Sequence, residues 1–182
     1  DVETQLYSLD QLVALSVKKN DIHGSLRWLK KMLSIQRDIS DIKGQVSTCL
    51  KVADLLLHRE DLMESMDWAV RALNLAEAEW SRVQMAEASQ LIGILHIKRE
   101  DFDEAVVFLR RSQDIWEELR DENGYYEATF HLGLALHLRG DLSSAAKQYR
   151  ACLKFLTEEE VDSSADLHLR LAAICVDSGC WS

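Results

Sequence analysis

The stretch HIKREDFDEA, residues 96–105, sets two bases directly against two acids, and the rest of the chain decides how it is read. HRED stands at 58–61 and LRGD at 138–141, so nearly the same charged phrase returns forty residues to either side. Anchored on the turn, Asn20, Glu60, Glu100, Gly140 and Gly179 are separated by 40, 40, 40 and 39 residues. Asp21, Asp61, Asp101 and Asp141 follow, then Cys180, and next comes an apolar residue each time: Ile22, Leu62, Phe102, Leu142 and Trp181. A small residue stands three further on (Ser25, Ser65, Ala105, Ala145), and a packing column four beyond it (Leu29, Ala69, Leu109, Tyr149). Upstream, a core step recurs as Leu12-Val13, Val52-Ala53, Ile92-Gly93, Leu132-Gly133 and Leu171-Ala172. So many columns in one register mark a repeat array.

The order of the charges follows from helix ends. A helix closes on unpaired carbonyls, which favour cations, and opens on unpaired amides, which favour an acid. Lys18-Lys19, His58-Arg59, Lys98-Arg99 and Arg139 close the first helix of each unit. Asp21, Asp61, Asp101 and Asp141 open the second as N-caps, with Glu64 and Glu104 placed to complete capping boxes. The charged phrase is a helical turn, not an active site.

Proline is absent and only seven glycines occur, while apolar residues recur at three-and-four spacing, so the chain is all-α. At 47% apolar and 29% charged it is neither disordered nor membrane-spanning. No apolar run nears the roughly 20 residues of a spanning helix, and DVETQLYSLD lacks the layout of a signal peptide. The chain opens without Met and reads as an excerpt of a longer protein. A net charge of −10 opposes attraction to nucleic acid or anionic membrane. Cys49, Cys152, Cys175 and Cys180 form no CxxC and no zinc-type pairing. The first three hold apolar helical positions and read as reduced core residues of an intracellular protein, cytoplasmic or nuclear.

Taken together, the columns resemble the tetratricopeptide repeat, and HLGLALHLRGDLSSAAKQYRACLKF at 131–155 carries the likeness best. It extends over 1–182 as a single array, with repeats at 3–40, 43–80, 83–120 and 123–160 and a partial one at 162–182. The period is 40 rather than about 34, and the proline that commonly closes the shorter unit is missing. The longer variety is similar to repeats of spindle-orientation adaptors, kinesin light chains and bacterial ligand-sensing regulators. The resemblance implies a right-handed superhelix of antiparallel helix pairs, four pairs plus one further helix, whose first helices line a concave face.

On that face it places Leu50, Asp54, Leu57 and His58, then Glu87, Gln90, Ile94, Ile97 and Lys98. Glu127, Phe130, Leu134 and Leu138 follow, and Leu169 on the last helix. Phe130, Leu134 and Leu138 form a second apolar stripe beside the core residues Leu132, Gly133 and Leu136, and a helix apolar on two faces is expected to be covered on both. Packing of adjacent repeats hides part of such a stripe. The functional reading is a groove with an apolar floor, an acidic margin (Glu87, Glu127, Asp166) and a basic one (Lys18, His58, Lys98). Such a groove suits an amphipathic helix or extended peptide of another protein. The column Ala14, Asp54, Ile94, Leu134 and Ala173 lacks the Asn of a carboxylate clamp, which disfavours a chaperone tail as ligand.

No phosphate-binding glycine loop, GxSxG or HExxH occurs. His131 and His137 do not share a helix face, and His96 has no nucleophile at a usable spacing. No catalytic residue, cofactor or metal is expected. Trp28 and Trp68 read as packing between repeats, Trp181 as structural, and Trp80 and Trp116 stay open. The RGD at 139–141 belongs to the turn register, and EEEVD at 158–162 reads as a solvated turn. The last helix lacks a second-helix partner, leaving Leu171, Ala172 and Cys175 to further repeats or self-association. The expected function is a noncatalytic scaffold. The alternatives are a ligand- or peptide-sensing regulatory domain and an oligomerisation segment of a larger assembly.

Overall fold

The backbone turns left-handed at Asn20, Ser40, Glu60, Trp80, Glu100 and Arg120, with φ of 55°, 57°, 63°, 52°, 63° and 56°, and again at Gly140 with φ 92°. A break therefore falls every twenty residues, twice as often as the charged phrase announces. A computed structural model describes residues 1–155 and 161–177. Between the breaks lie α1 (Val2–Lys18), α2 (Ile22–Asp38), α3 (Ile42–His58), α4 (Leu62–Ala78) and α5 (Arg82–Lys98). Then come α6 (Phe102–Leu119), α7 (Glu122–Arg139), α8 (Leu142–Leu153) and α9 (Val161–Asp177), with no strand among the described residues.

Each turn is closed by one hydrogen bond reaching back five residues. The amide of Asp21 donates to the Ser16 carbonyl at 2.9 Å, Asp61 to Leu56 at 3.0 Å, Asp101 to His96 at 2.9 Å and Asp141 to Leu136 at 2.9 Å. Asp41 to Gln36, Ser81 to Ala76 and Asp121 to Trp116 repeat it in the intervening turns. This is the 6→1 bond of a helix C-terminus whose preceding residue is left-handed. One residue thus ends one helix and caps the next. Asp21, Asp41, Asp121 and Asp141 accept with their carboxylates from the amides of Gly24, Gly44, Gly124 and Ser144 at 2.8, 2.9, 2.8 and 3.2 Å.

The two expected capping boxes do not form. Their glutamates would need the N-cap amides of Asp61 and Asp101, which are already given to Leu56 and His96. Glu64 instead accepts from the Trp68 indole at 3.4 Å. The Asp101 carboxylate faces Arg99 Nε at 3.4 Å and His96 Nδ1 at 3.5 Å and caps no amide, and the Asp61 carboxylate caps none either.

The helix-pair columns fill the core. Ser25, Ser65, Ala105, Ala145, Leu29, Ala69, Leu109 and Tyr149 are all fully buried. The upstream step is buried at Val52-Ala53, Ile92-Gly93 and Leu132-Gly133, but Leu12 and Ala172 are exposed. Among the described residues α1 packs on α2 and α9 on α8, whereas α3 and α7 each lie between two helices.

The chain divides into two units, Asp1–Leu91 and Ile92–Ser182. The core of the first gathers Leu9, Val13, Leu29, Met32, Val52 and Leu56, with Trp28 and Trp68 half-buried at its margin, as expected. That of the second gathers Leu109, Leu132, Leu136, Tyr149, Cys152, Leu167 and Ile174. Trp116 is buried and Trp80 is 81% exposed. Cys49 and Cys152 are buried as core residues, whereas Cys175 is exposed, in line with the missing second-helix partner of the last helix rather than with a core position. Leu167 and Ile174 define the inward line of α9, and Cys175 stands one residue, about 100°, round from it. Residues 158–160, Gly179, Cys180 and Trp181 lie outside the described residues.

Candidate functional site

In the first unit, Ser47, Leu50, Lys51 and Asp54 of α3 and Glu87 and Leu91 of α5 line a depression of about 320 Å³. Two ties between first helices frame it. Lys51 Nζ meets Asp10 Oδ1 of α1 at 2.7 Å, and Gln84 Nε2 of α5 donates to the Lys43 carbonyl of α3 at 2.9 Å. Asp54 Oδ1 stands 3.7 Å from His58 Nδ1, and that nitrogen is also 2.8 Å from the Asp54 carbonyl. Burial lifts the Glu87 carboxyl above the usual glutamate range, because a low-dielectric surrounding disfavours the charged form.

In the second unit Phe130 of α7 lies beneath the Arg170 guanidinium of α9, whose Cζ is 5.0 Å from the ring centroid and 6.0 Å from that of Tyr149. Arg170 Nε donates to Asp166 Oδ2 at 2.8 Å. Burial first, and the Arg170 charge with it, pull His131 below its ordinary value against the opposing pull of Glu127. His96 stacks on Phe108 with centroids 5.7 Å apart. A larger depression, about 470 Å³, opens at the helix ends between Trp116, Arg120, Tyr125, Lys154 and Phe155.

The residues expected on the groove divide between the units. Leu50, Leu57 and Gln90 are half-buried in the first, where Asp54, His58 and Glu87 are exposed. Ile94, Ile97, Phe130 and Leu134 are half-buried in the second, where Lys98, Glu127, Leu138 and Leu169 are exposed. The first depression brings together Leu50, Asp54 and Glu87 but not Leu57, His58 or Gln90. Lys51, Leu91 and Arg170 were not singled out from the sequence. The signal for Lys51 was available, since its partner Asp10 lies one repeat plus one residue away. Among the described residues no group of three or more His, Cys, Asp or Glu is arranged to hold a metal, and no helix is long and apolar enough to cross a membrane.

Residues 84–158 match the family model for the tetratricopeptide repeat. Those residues carry tetratricopeptide repeats. Its helical-repeat fold is shared with solved tetratricopeptide structures across nearly its whole length. It is similar to the apo form of RapI, with a TM-score of 0.84 at 14% identity over 92% of this chain and 47% of that one. It is also similar to a signal-transduction ATPase of the STAND class with a tetratricopeptide repeat sensor, from Pyrococcus horikoshii. There the TM-score is 0.86 at 16% identity, over 98% of this chain and 28% of that one. The tetratricopeptide-like repeats of a kinesin light chain from Podospora anserina give 0.79 at 13%, over 97% and 88%. The chain therefore spans about half the length of RapI and under a third of the ATPase. No curated protein matches its sequence.

Proposed function

We propose that this chain is a noncatalytic protein-interaction module, a single array over 1–182 that holds a peptide or amphipathic helix of another protein on the outward faces of its first helices. The observation that carries this reading is α7. Leu132 and Leu136 are buried on one side, while Phe130 and Leu134 are half-buried and Leu138 is 49% exposed on another. An apolar second face on a helix already packed through its first favours a partner that covers it. Affinity would come from apolar anchors, and rim charges such as Glu127 and Lys98 would set orientation and on-rate.

A regulatory sensor is the second reading. It draws support from the fold likeness to the STAND protein, whose tetratricopeptide repeat is described as a sensor. In that reading the bound peptide or ligand changes the activity of an attached effector.

The test is capture from cell lysate read by mass spectrometry, comparing the wild type with Ile94→Glu/Leu134→Glu, and circular dichroism to establish that the variant is folded. A partner bound by the wild type and lost from the folded variant supports the reading. Unchanged capture assigns binding to another face.

A further inference from the structure

We infer that the depression between α3 and α5 is a seat for one cationic side chain, an arginine or lysine carried on an apolar-flanked segment of a partner protein. This rests on the peptide-binding reading and names what the first unit selects.

Charge and shape point the same way. Lys51, the one cation in the lining, is engaged by Asp10 at 2.7 Å, so the charged groups left facing the space are Asp54 and Glu87. Asp54 has only His58 beside it, at 3.7 Å, and no cation pairs with Glu87 among the described residues. Glu87 is exposed at its surface yet partly desolvated by the protein around it, which disfavours its charged form while it has no partner. An incoming guanidinium or ammonium would remove that penalty, and Arg in particular forks onto carboxylates. Leu50 and Leu91 offer the apolar wall along which the methylene stem of such a side chain lies. At about 320 Å³ the space is at the small end of ligand pockets, ~300–1,000 Å³, which fits one long side chain. A net charge of −10 draws cationic segments toward the chain as a whole.

Three blocked, fluorescein-labelled peptides of equal length are the probes: alternating leucine and arginine, leucine and citrulline, and leucine and glutamate. Binding is read by anisotropy against wild type, Glu87→Gln, Asp54→Asn and the exposed control Asp67→Asn on α4. The arginine peptide should bind, weaken about tenfold with Glu87→Gln, weaken with Asp54→Asn, and ignore Asp67→Asn. The citrulline peptide should bind weakly and be indifferent to Glu87→Gln. Equal losses at Asp67→Asn and Glu87→Gln would mean diffuse attraction and overturn the seat, as would no loss at Glu87→Gln or no binding of any peptide. Preference for the glutamate peptide would overturn the cationic occupant while leaving a peptide-binding face. Ile94 and Leu134 lie outside the depression, so the lysate experiment fails or succeeds separately.

Discussion

The ring of Tyr149 occupies the space that residue 133 leaves by having no side chain. A Cβ placed on Gly133 would stand 2.7 Å from Cε1 and 2.9 Å from Cδ1 of that ring. Leu109 meets Gly93 in the same way one repeat earlier, with Cγ 2.5 Å from the corresponding point. In both repeats a bulky side chain on the second helix is matched by a glycine on the first.

Gly133→Ala should therefore lower stability even though alanine is the better helix former by about 1 kcal/mol. The ring is fully buried and cannot yield, so overpacking of about 1–3 kcal/mol outweighs the propensity gain. Urea unfolding of Gly133→Ala, Tyr149→Leu and the double variant would show it. The double variant should be more stable than the sum of the two single effects allows, and a Gly133→Ala protein more stable than wild type would refute the close fit.

The left-handed turns make opposite predictions at equivalent positions. Glu100 holds φ 63° with a side chain that disfavours it, and Gly140 holds φ 92° freely. Glu100→Gly should raise stability by about 1 kcal/mol. Gly140→Ala should lower it by a similar amount. Nothing lies within 4 Å of a Cβ at Gly140, so its thermal midpoint reports the backbone alone.

Fold and site were legible to different depths. The forty-residue register located the turns at Asn20, Glu60, Glu100 and Gly140 because aspartate, apolar and small residues follow in fixed columns. The repeat boundaries at 40–43, 80–83 and 120–123 placed the intervening turns at Ser40, Trp80 and Arg120, and Asp41 and Asp121 keep the capping aspartate there. Their left-handed geometry is held by the 6→1 backbone bonds, which any residue can make, so the side chains do not announce the positive φ itself. The i, i+4 spacing along each first helix named a second face whose apolar members Leu50, Leu57, Ile94, Ile97, Phe130 and Leu134 are half-buried, because neighbouring helices cover part of it. The tie of Lys51 to Asp10 was open to the forty-residue register but not to spacing within one helix, and the placing of Arg170 over Phe130 joins helices with no such register between them.

Hydrogen bonds from the Ser144 hydroxyl and amide, then Ser143 and the charge of Arg139, hold the Asp141 carboxyl below its ordinary value of 3.8. A carboxyl whose folded value is depressed contributes stability above its unfolded value and loses it as pH falls through the folded one. Asp141→Asn should then change the urea midpoint less between pH 5 and pH 2 than the wild type does.

Glu87 runs the other way. Burial raises its folded value above the ordinary 4.5, so ionisation disfavours the folded chain at neutral pH and the penalty fades as pH falls toward 4. Glu87→Gln should be more stable than wild type at pH 7, with the difference closing by pH 4. An equal difference at both values would mean that packing, not charge, is responsible.

Burial pushes the Cys152 thiol up to about 12 and raises Cys49 as well, and the thiolate is the reactive form. Brief iodoacetamide treatment of the folded chain, mapped by mass spectrometry, should label exposed Cys175 and spare both buried thiols until urea unfolds the protein. Labelling of Cys152 at the rate of Cys175 would show that the α7–α8 core opens locally.

Among the described residues all seven turns are left-handed and make the same backward hydrogen bond, whether they lead from a first helix to a second or onward to the next pair, with φ of 52–63° at six of them and 92° at Gly140. Two of them forty residues apart are equivalent joints. A recombination that cuts at one turn and rejoins at the turn forty residues away restores a left-handed residue and the same backward hydrogen bond. Loss or duplication of a whole module is therefore a single genetic step, and the length of such a chain can change faster than its composition.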